Sequence, residues 1–561
     1  MHRYRFLPLL ALPVLCSLVL FAQRASAVSC NVVHHGPPSE ADKALLAANY
    51  DKAASLYQTA LATHPADSQL TIGLVHALLH QQKIEQAADT VKAALKATPN
   101  STALMTLRGE VEFRQGEPWT ATQTVADSFK LDPCDPRTRL LFARVAQVNS
   151  MYATARKQII GAHKLDPEDI EIREEWIDTL PSKQRISELE AYLANPTGSD
   201  AEDLSDLHEY LDRLKKQANE PHKACHLVSP VTSAEIPFIK LMYDGTHVRA
   251  YGLEVKLNNH AARLQIDTGA GGLLISRGVA ERAGLKPFAQ TRLGGVGDHG
   301  SVAGYSAYVD SIRIGGLEFQ NCSVRVIEGK NNLDVDGLIG TDVFSQFLVT
   351  LDYPWLKLVL GPLPTRPGET VNIAPRLQTD SSDPASEQDE SSDQSASSTT
   401  PPAIQPPATA PSGPHDRYIA PEMKEYSSVY RVGHDLIIPA ALNDKTQRLF
   451  ILDTGAFESS ISPQAAREVT GLHSAIAEVT GISGKVNKSY TSGQITFKFA
   501  HMSQTSLGVI AFDTSNISRG VGMEISGLIG YNTLHQLTMH IDYRDGLVKF
   551  EFDPTRGYQF Y

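Results

Sequence analysis

Between residues 40 and 180 the apolar and polar positions repeat every 34 residues. Small residues stand twelve and five positions before a proline in each period, and an apolar or aromatic residue stands eight before it. In the first unit these are Ala53, Ala60 and Tyr57, and the four prolines are Pro65, Pro99, Pro133 and Pro167. Small residues let helices pack closely, and a proline starts the next turn. The pattern predicts paired helices stacked as a solenoid.

The period and its small positions resemble tetratricopeptide repeats over four units. Residues 182–218 keep the helical apolar spacing without the proline, as a terminal cap would. We expect the solenoid and its cap to occupy residues 28–220. Concave solenoid surfaces hold peptides or partner proteins, so a protein partner on the repeats is one hypothesis, and a spacer or self-association surface is the alternative.

From about residue 228 the spacing changes to short alternating segments rich in Val, Ile, Leu and Tyr, separated by Gly, Asn and Asp. Such a pattern predicts strands and turns. Residues 363–420 interrupt it with Ser-rich and Pro-rich sequence that is too polar to bury a core. We therefore expect two mostly-β domains at residues 228–362 and 421–561, joined by a disordered linker.

The two β-rich regions repeat the same landmarks. Each has an Asp-Thr-Gly-Ala segment directly after an apolar strand, at residues 267–270 and 453–456. Each also has a Gly-Leu-Ile-Gly segment further on, at residues 337–340 and 527–530. A single Asp-Thr-Gly arises by chance in roughly one chain of this size in ten, but two with matching surroundings indicate duplicated units.

These landmarks resemble the retropepsin-like aspartic proteases of the bacterial type. The resemblance implies that the fold is a solenoid followed by two acid-protease domains, which pair as an intramolecular pseudo-dimer. Asp267 and Asp453 would be the catalytic carboxylates. The turns around them would be built by the residues that follow: Thr268, Gly269, Thr454 and Gly455.

The same resemblance implies a flap over the substrate in each domain, where glycine allows tight turns and close backbone approach. The first flap would contain Gly295, Val296 and Gly297, and the second Gly481, Ile482 and Gly484. A further layer would pack beneath the catalytic turns. Its members come from the two Gly-Leu-Ile-Gly segments: Leu338, Ile339, Gly340, Leu528, Ile529 and Gly530.

Two carboxylates that share one proton can divide acid and base roles, so that one polarises a peptide carbonyl while the other activates water. The resemblance therefore implies an aspartic endopeptidase acting on polypeptides, with no metal or cofactor. Which aspartate holds the proton stays open, because the pair titrates as a unit. Ala270 and Ala456 replace the hydroxyl donors of pepsin-like enzymes, which favours mildly acidic to near-neutral activity.

Three alternatives remain. A bilobal pepsin would also separate two aspartates widely, although its lobes are less alike and lack a long tether. A homodimer could pair equivalent halves of two chains instead of pairing the halves of one. The protein could also be a non-catalytic protease-like peptide binder or a scaffold organised by the repeats.

Composition adds the cellular context. The chain has 561 residues and a net charge of -12, which disfavours nucleic acid as a partner. Arg3 and Arg5 precede an apolar run at residues 6–22 and a small-residue site at residues 25–27. This pattern predicts a cleaved signal peptide at residues 1–27, no membrane span in the mature chain, and export to the periplasm or the medium.

The cysteine positions allow fewer conclusions about the protein. Cys30 follows the predicted cleavage site, and an envelope lipoprotein attached there is the less favoured form of export. Four cysteines remain after signal removal, and their spacing fits no zinc pattern, including the group His222, Cys225 and His226. No metal is expected, and the disulfide pairing is left open.

Overall fold

The computed structural model describes residues 29–220, 222–242, 247–298, 300–328, 335–368, 416–474 and 479–556. The predicted signal peptide lies outside the described residues, as does the part of the predicted linker at residues 369–415. No helix in the described ranges is long and apolar enough to cross a bilayer.

The N-terminal region is helical, as the repeat predicts. Its helices are α1 (Glu40–Leu46), α2 (Tyr50–Thr63), α3 (Ser68–His80), α4 (Ile84–Ala97), α5 (Thr102–Arg114), α6 (Pro118–Leu131), α7 (Pro136–Val148), α8 (Tyr152–Leu165), α9 (Ile170–Asp178), α10 (Ser182–Ala194) and α11 (Ala201–Asn219). In four units a helix begins three residues after the repeat proline. The residue before each of these helices caps its backbone amides: Asp67, Ser101, Asp135 and Asp169.

The small and apolar repeat positions form the contact between paired helices. Ala53, Ala87 and Ala121 are completely buried, and Tyr57 is buried beside them. A methyl group on Gly73 would lie 2.3 Å from the Tyr57 ring, so the helices approach as closely as the small residues allow. The prediction of a tetratricopeptide-like solenoid is confirmed.

The first β half begins after α11. It contains β1 (His226–Leu227), β2 (Ala234–Pro237), β3 (Ile239–Met242), β4 (Val248–Leu257), β5 (His260–Asp267), β6 (Leu273–Ser276), α12 (Arg277–Arg282), β7 (Pro287–Gly294), β8 (Ser301–Ile314), β9 (Leu317–Ile327), β10 (Gly337–Gly340), β11 (Leu348–Asp352) and β12 (Lys357–Gly361). Nine of its strands form one sheet in the order β1-β9-β6-β10-β5-β4-β8-β7, with β3 on β4. A short 3-10 helix, Thr341–Phe344, follows β10.

The second β half repeats this order with additions. It contains β13 (Ser427–Ser428), β14 (Tyr430–Val432), β15 (Asp435–Leu442), β16 (Thr446–Asp453), β17 (Ser460–Ile461), α13 (Pro463–Val469), β18 (Leu472–Ser474), β19 (Thr480–Gly481), β20 (Gly484–Lys485), β21 (Ser489–Ser492), β22 (Ile495–Phe499), β23 (Met502–Ser506), β24 (Ile510–Phe512), α14 (Ser515–Val521), β25 (Gly527–Gly530), α15 (Tyr531–Leu534), β26 (Thr538–Asp542) and β27 (Leu547–Glu551). Two 3-10 helices, Pro421–Met423 and Pro554–Arg556, flank it.

A six-stranded sheet joins the two halves. Its order is β13-β27-β26-β11-β12-β2, so strands of the second half continue directly into strands of the first. At the junction β11 and β26 run antiparallel, with Thr350 opposite His540. The hydroxyl of Thr350 lies 2.9 Å from Nδ1 of His540, and Leu351 and Met539 beside them are completely buried. The halves therefore share backbone hydrogen bonds and a core.

The solenoid packs against the second half. Phe113, Leu141 and Val145 of the solenoid share one apolar cluster with Ile451 and Met523 of the second half. The amide of Glu524 donates to the carbonyl of Arg114 at 2.9 Å. At the far end of the solenoid α11 reaches β7, where Arg292 lies 3.8 Å from Asp206 and 3.6 Å from Glu209. The cap helix thus faces the first half.

The disordered linker predicted at residues 363–420 extends too far in both directions, because residues 363–368 and 416–420 belong to the described structure. Arg366 pairs with the buried Asp545 at 2.6 Å, and the amide of Tyr418 donates to the same carboxylate at 2.8 Å. Asp416 accepts from two amides at the start of α8, at 3.0 and 2.8 Å. Polar composition predicted disorder here, but a buried ion pair and helix capping fix these short segments. The second segment also packs Tyr418 and Ala420 against Met423 and Leu547.

Two disulfides settle the pairing that the sequence left open. Cys30 pairs with Cys134 in the solenoid, and Cys225 pairs with Cys322 on β9 of the first half. Cys225 is therefore bonded to sulfur, and the described residues contain no group of three or more side chains that could hold a metal ion.

Candidate active site

Each Asp-Thr-Gly turn follows a buried strand that ends beside a Gly-Leu-Ile-Gly strand. β5 runs parallel to β10, which places Asp267 opposite Gly340. β16 runs parallel to β25, which places Asp453 opposite Gly530. Glycine is required beneath each turn, because a methyl group on Gly340 would lie 2.2 Å from the carbonyl of Ala270. Ile339 and Ile529 are 1% exposed in the core, whereas Leu338 and Leu528 line the cavity above.

The two turns are cross-linked by threonine hydroxyls. The Thr268 hydroxyl donates to the carbonyl of Leu452 at 2.6 Å and accepts from the amide of Thr454 at 3.0 Å. The Thr454 hydroxyl donates to the carbonyl of Ile266 at 3.1 Å and accepts from the amide of Thr268 at 3.0 Å. All four bonds run between halves and are buried. They fix the distance between the two aspartates.

The carboxylates of Asp267 and Asp453 face each other across this cross-link. A methyl group on Gly455 would lie 2.3 Å from Oδ2 of Asp267, and one on Gly269 would lie 2.8 Å from Cγ of Asp453. Each glycine therefore leaves room for the carboxylate of the opposite half. The structure brings together all six turn residues that the sequence singled out.

The two carboxylates differ in their donors. Oδ1 of Asp267 accepts from the amide of Gly269 at 2.8 Å. Oδ1 of Asp453 accepts from two amides, those of Gly455 at 2.8 Å and Ala456 at 2.9 Å. Amide donors stabilise the charged form of a carboxylate, so Asp453 is the better site for the negative charge.

The pKa values of the two aspartates also favour the negative charge on Asp453. Burial raises the pKa of Asp267 well above its usual range, and the neighbouring charge of Asp453 raises it further. Burial also raises the pKa of Asp453, but the amides of Ala456 and Gly455 and a hydrogen bond from Asp267 oppose the rise. A shared proton is therefore held mainly by Asp267.

Two polar residues beside the dyad were missed by the sequence reasoning. Nε2 of His434 lies 3.1 Å from the carbonyl of Gly269 and 3.5 Å from Oδ1 of Asp435. Burial and the charge of Asp453 raise the pKa of Asp435 to about 7. Counting back from the ends of β15 and β4, Ala250 occupies the corresponding place in the first half, so duplication carries no signal for Asp435.

Asp342 and Asn532 support the chain that follows each turn, and both were also missed. Asp342 accepts from the amide of Gly272 at 2.9 Å. The Oδ1 atom of Asn532 accepts from the amide of Ser459 at 3.2 Å. Both stand two residues after a Gly-Leu-Ile-Gly segment, so here the duplicated landmarks did contain a usable signal.

The flap residues lie at the tips of two hairpins that meet over the dyad. The amide of Ser483 donates to the carbonyl of Val296 at 3.1 Å. A methyl group on Gly297, whose φ is 139°, would lie 2.3 Å from the carbonyl of Ser483. Val296 and Ile482 each pack against the apolar lining of the opposite half. The tips therefore cross, and each covers the other half's side of the cleft.

The space beneath the flaps is part of one cavity of about 1740 Å³. It is lined by both aspartates, by the flap tips, by α14 and by the solenoid. Small-molecule sites measure about 300–1,000 Å³, so this cavity suits a larger occupant. The apolar lining around the dyad, Leu274, Leu293 and Leu338 on one side and Ile451, Phe512 and Leu528 on the other, suits apolar side chains of a peptide.

Two mostly-β halves with facing Asp-Thr-Gly turns and a helical solenoid define a repeat protein joined to an aspartyl-protease-like region. The comparisons with known proteins agree. Residues 253–343 match the aspartyl protease family, and residues 44–110 match the tetratricopeptide repeat family. The chain thus contains domains of both families.

Relatives match over short stretches. DNA damage-inducible protein 1 of Neurospora crassa is 31% identical over 110 residues, which are 19% of this chain and 24% of that protein. The UBA domain-containing protein Mud1 of Schizosaccharomyces pombe is 32% identical over 102 residues, which are 18% of this chain and 30% of that protein. The chain thus spans less than a third of the length of these relatives.

Two solved structures are each similar to about a quarter of the chain. A retropepsin-like aspartic protease from Rickettsia conorii is 23% identical, and the match covers 23% of this chain and 90% of that one with a TM-score of 0.18. A thermophilic tetratricopeptide-repeat protein of Thermus thermophilus is 21% identical, covering 23% of this chain and 71% of that one with a TM-score of 0.20.

Proposed function

We propose that the protein is an aspartic endopeptidase in which Asp267 and Asp453 of one chain form a single catalytic dyad. One observation carries this proposal: a glycine of each turn lies against the carboxylate of the other, within a cross-link of four buried hydrogen bonds. The two protease-like halves then act as an intramolecular pseudo-dimer, and the substrate is a polypeptide.

In this mechanism Asp267 holds the shared proton and donates a hydrogen bond to the peptide carbonyl oxygen. Asp453, whose charge two amides stabilise, takes a proton from water as the water oxygen attacks the carbonyl carbon. The proton of Asp267 passes to the carbonyl oxygen and gives a geminal diol. Asp453 then protonates the leaving nitrogen, a diol hydroxyl returns its proton to Asp267, and the carbon–nitrogen bond breaks.

The pH range follows from the raised pKa values. Activity requires the pair to hold one proton, and burial keeps that proton bound to higher pH in both aspartates. The carboxylate of Asp453 accepts hydrogen bonds from two backbone amides of its turn. Ala456 has no hydroxyl that would donate a further bond and lower the pKa of the pair. We therefore expect activity in mildly acidic to near-neutral solution.

The test compares the mature chain with Asp267→Asn and Asp453→Asn on an unfolded protein between acidic and neutral pH. An intramolecular dyad predicts a loss of about 100-fold to 10,000-fold in each variant. A homodimer that pairs equivalent halves predicts that each variant keeps one intact dyad and about half the activity. If the unsubstituted chain binds peptides without cutting them, the non-catalytic peptide binder replaces this proposal.

Mixing the two variants tests exchange between chains. If the first half of one chain pairs with the second half of another, the mixture regains activity as its concentration rises. An intramolecular dyad predicts that the mixture stays as inactive as its components at every concentration.

We further propose that the protein is exported, to the periplasm or the medium. The two disulfides support this, because such bonds persist in oxidising compartments. The pairing of Cys30 also uses the thiol that a lipoprotein would need. Export predicts that the mature chain begins near residue 28 and that its cysteines react with alkylating agents only after reduction. A mature N-terminus that still carries residues 1–27 would contradict it.

A further inference from the structure

The solenoid forms one wall of the cavity that contains the dyad. This solenoid wall consists of Tyr50, His80, Gln82 and Arg114 together with the first two turns of α11. It lies in the same cavity as Asp267, Asp453 and both flap tips. A polypeptide that lies beneath the flaps therefore occupies a cavity that the solenoid helps to line.

Arg114 differs from the arginines beside it. Arg137 pairs with Glu110 at 2.9 Å, and Arg144 pairs with Glu175 at 2.7 Å. In the described part of the chain Arg114 has no carboxylate partner, and its side chain makes only two long contacts, of 3.5 Å each, to the carbonyl of Leu79 and to Gln82. Burial lowers the pKa of Arg114 and the charge of Arg144 adds to this, while the charges of Glu171 and Glu110 oppose it. Glu110 and Glu171 already pair with Arg137 and Arg144, so a further anion in contact with the desolvated Arg114 guanidinium would stabilise it.

The charges along the wall show where an anion fits. Tyr50 and His80 stack with ring centroids 4.4 Å apart, in the middle of the wall. Among charged groups Asp203 has the largest effect on Tyr50, whereas on His80 the charge of Glu171 is opposed by those of His76, Arg114 and Arg137. The α11 end of the wall is therefore acidic, and Arg114 supplies the positive charge of the wall at its other end. An anionic group is repelled from the α11 end and attracted to Arg114.

We propose that the solenoid wall binds the part of the polypeptide substrate that extends beyond the flaps, with Arg114 taking a carboxylate of that segment. The occupant follows from continuity with the dyad, from a cavity too large for a small ligand, and from a guanidinium that has no direct ion pair in the described part of the chain. This inference rests on the proposed protease function. It makes the solenoid part of the substrate-binding surface, which selects flexible segments with an acidic flank.

The experiment measures binding, without cleavage, to the full chain carrying Asp267→Asn. The probes are peptides of about 20 residues, about 66–72 Å long when extended, with an apolar centre of leucine and phenylalanine. One set carries four glutamates at either flank and has an amidated C-terminus. A second carries glutamines there, a third has the glutamines and a free C-terminal carboxylate, and a fourth consists of the apolar centre alone.

We expect the glutamate peptide to bind about tenfold more tightly than the glutamine peptide. Arg114→Gln should abolish this difference and leave the binding of the short peptide unchanged. Arg114→Lys should keep part of it, because the charge remains but the planar fork is lost. Lys92→Gln removes an exposed positive charge of the solenoid outside the cavity and should change nothing. Preference for the free C-terminal carboxylate would identify a chain end as the anion.

Equal affinities for the glutamate and glutamine peptides on the chain with Arg114 intact would overturn the inference, and this comparison needs no substitution in the solenoid. An undiminished preference after Arg114→Gln would also overturn it. Neither result bears on the dyad, which is tested by cleavage in the chain with both aspartates. Conversely, a chain that binds the peptides with this preference but never cleaves them would refute the protease and keep the binding site.

Discussion

The two β halves present the same turn to the cleft but are held in place by different means. The first half has long hairpin strands, β8 and β9, and a disulfide from Cys225 to Cys322. In the second half the corresponding region has short strands and an added helix, α14. The second half packs against the solenoid instead, through the apolar cluster that contains Phe113 and Ile451.

The comparison shows which features of the proposed dyad are present in both copies. The buried strand, the threonine cross-link and the glycine beneath each turn are kept on both sides. The number of amide donors differs between the halves, because Asp267 accepts one such hydrogen bond and Asp453 accepts two. A dyad needs two carboxylates at a fixed distance, whose mutual repulsion makes them share one proton. The difference in donors makes Asp453 the better site for the charge.

The largest effect is expected where one half touches the carboxylate of the other. Gly455→Ala should lower kcat by about 1000-fold, because its methyl group would lie 2.3 Å from Oδ2 of Asp267 and force the pair apart. Gly269→Ala, with a closest approach of 2.8 Å, should cost about 100-fold. Steady-state kinetics on one peptide would measure both.

Gly471→Ala is the matched control for these glycines, because a methyl group there would meet nothing within 4 Å. It should keep full activity. Equal activity of Gly455→Ala and Gly471→Ala would mean that the two carboxylates do not work at the distance seen here, and the dyad would have to be abandoned.

Removing the first-half disulfide should have the next largest effect. Cys225→Ala with Cys322→Ala opens a loop of 97 residues and should lower the local stability of β1 and β9 by about 2–4 kcal/mol. Hydrogen exchange measured by segment would show faster exchange there and unchanged exchange in β16 and β25, which the solenoid supports.

The other disulfide provides the control for that experiment. Cys30→Ala with Cys134→Ala opens a loop of similar length, 104 residues, in the solenoid. It should speed exchange in the solenoid and leave β9 unchanged. If both pairs of substitutions destabilise both halves equally, the halves are not held by separate means as argued above.

Substitutions of the two threonines in the cross-link should have similar effects on stability. Thr268→Val and Thr454→Val each remove a hydroxyl that makes two buried bonds and leave an amide and a carbonyl without their partners. We expect each to lower the free energy of unfolding by about 2 kcal/mol. Thr268→Ser and Thr454→Ser keep the hydroxyl and should cost much less. Additive costs in the double Val variant would indicate that the two hydroxyls do not form one coupled network.

Much of the architecture could be predicted from the sequence, because duplication and repetition report geometry. The 34-residue period predicted the helix pairs, and the two Gly-Leu-Ile-Gly segments, which were predicted to pack beneath the turns, form strands β10 and β25. Features present in only one copy had no such signal. Asp435 has Ala250 as its counterpart, and Arg114 occupies no position of the repeat pattern. The contacts of Arg366 and Tyr418 with Asp545 were hidden because long-range ion pairs leave no trace in local composition.

The smallest effect concerns Asp435, the acid that the first half lacks. Its pKa of about 7 in the folded chain lies above its ordinary value of about 3.9, so the folded state holds this proton longer than the unfolded state. Its contribution to stability is therefore complete below about pH 4 and is lost as the pH rises to about 7. The shift alone corresponds to about 4 kcal/mol, and water near the 18% exposed side chain reduces the expected effect to about 1 kcal/mol.

Asp435→Asn cannot ionise, so relative to the unsubstituted chain it should gain about 1 kcal/mol at pH 8 and nothing at pH 4. Denaturant unfolding at the two pH values measures this difference. Asp444→Asn, at an exposed aspartate of the same half that pairs with Lys498 at 2.7 Å, should not gain stability at pH 8. A gain for Asp435→Asn that is equal at both pH values would mean that the side chain is disfavoured for reasons other than its charge. The dyad would then lose the neighbouring acid that distinguishes its second half.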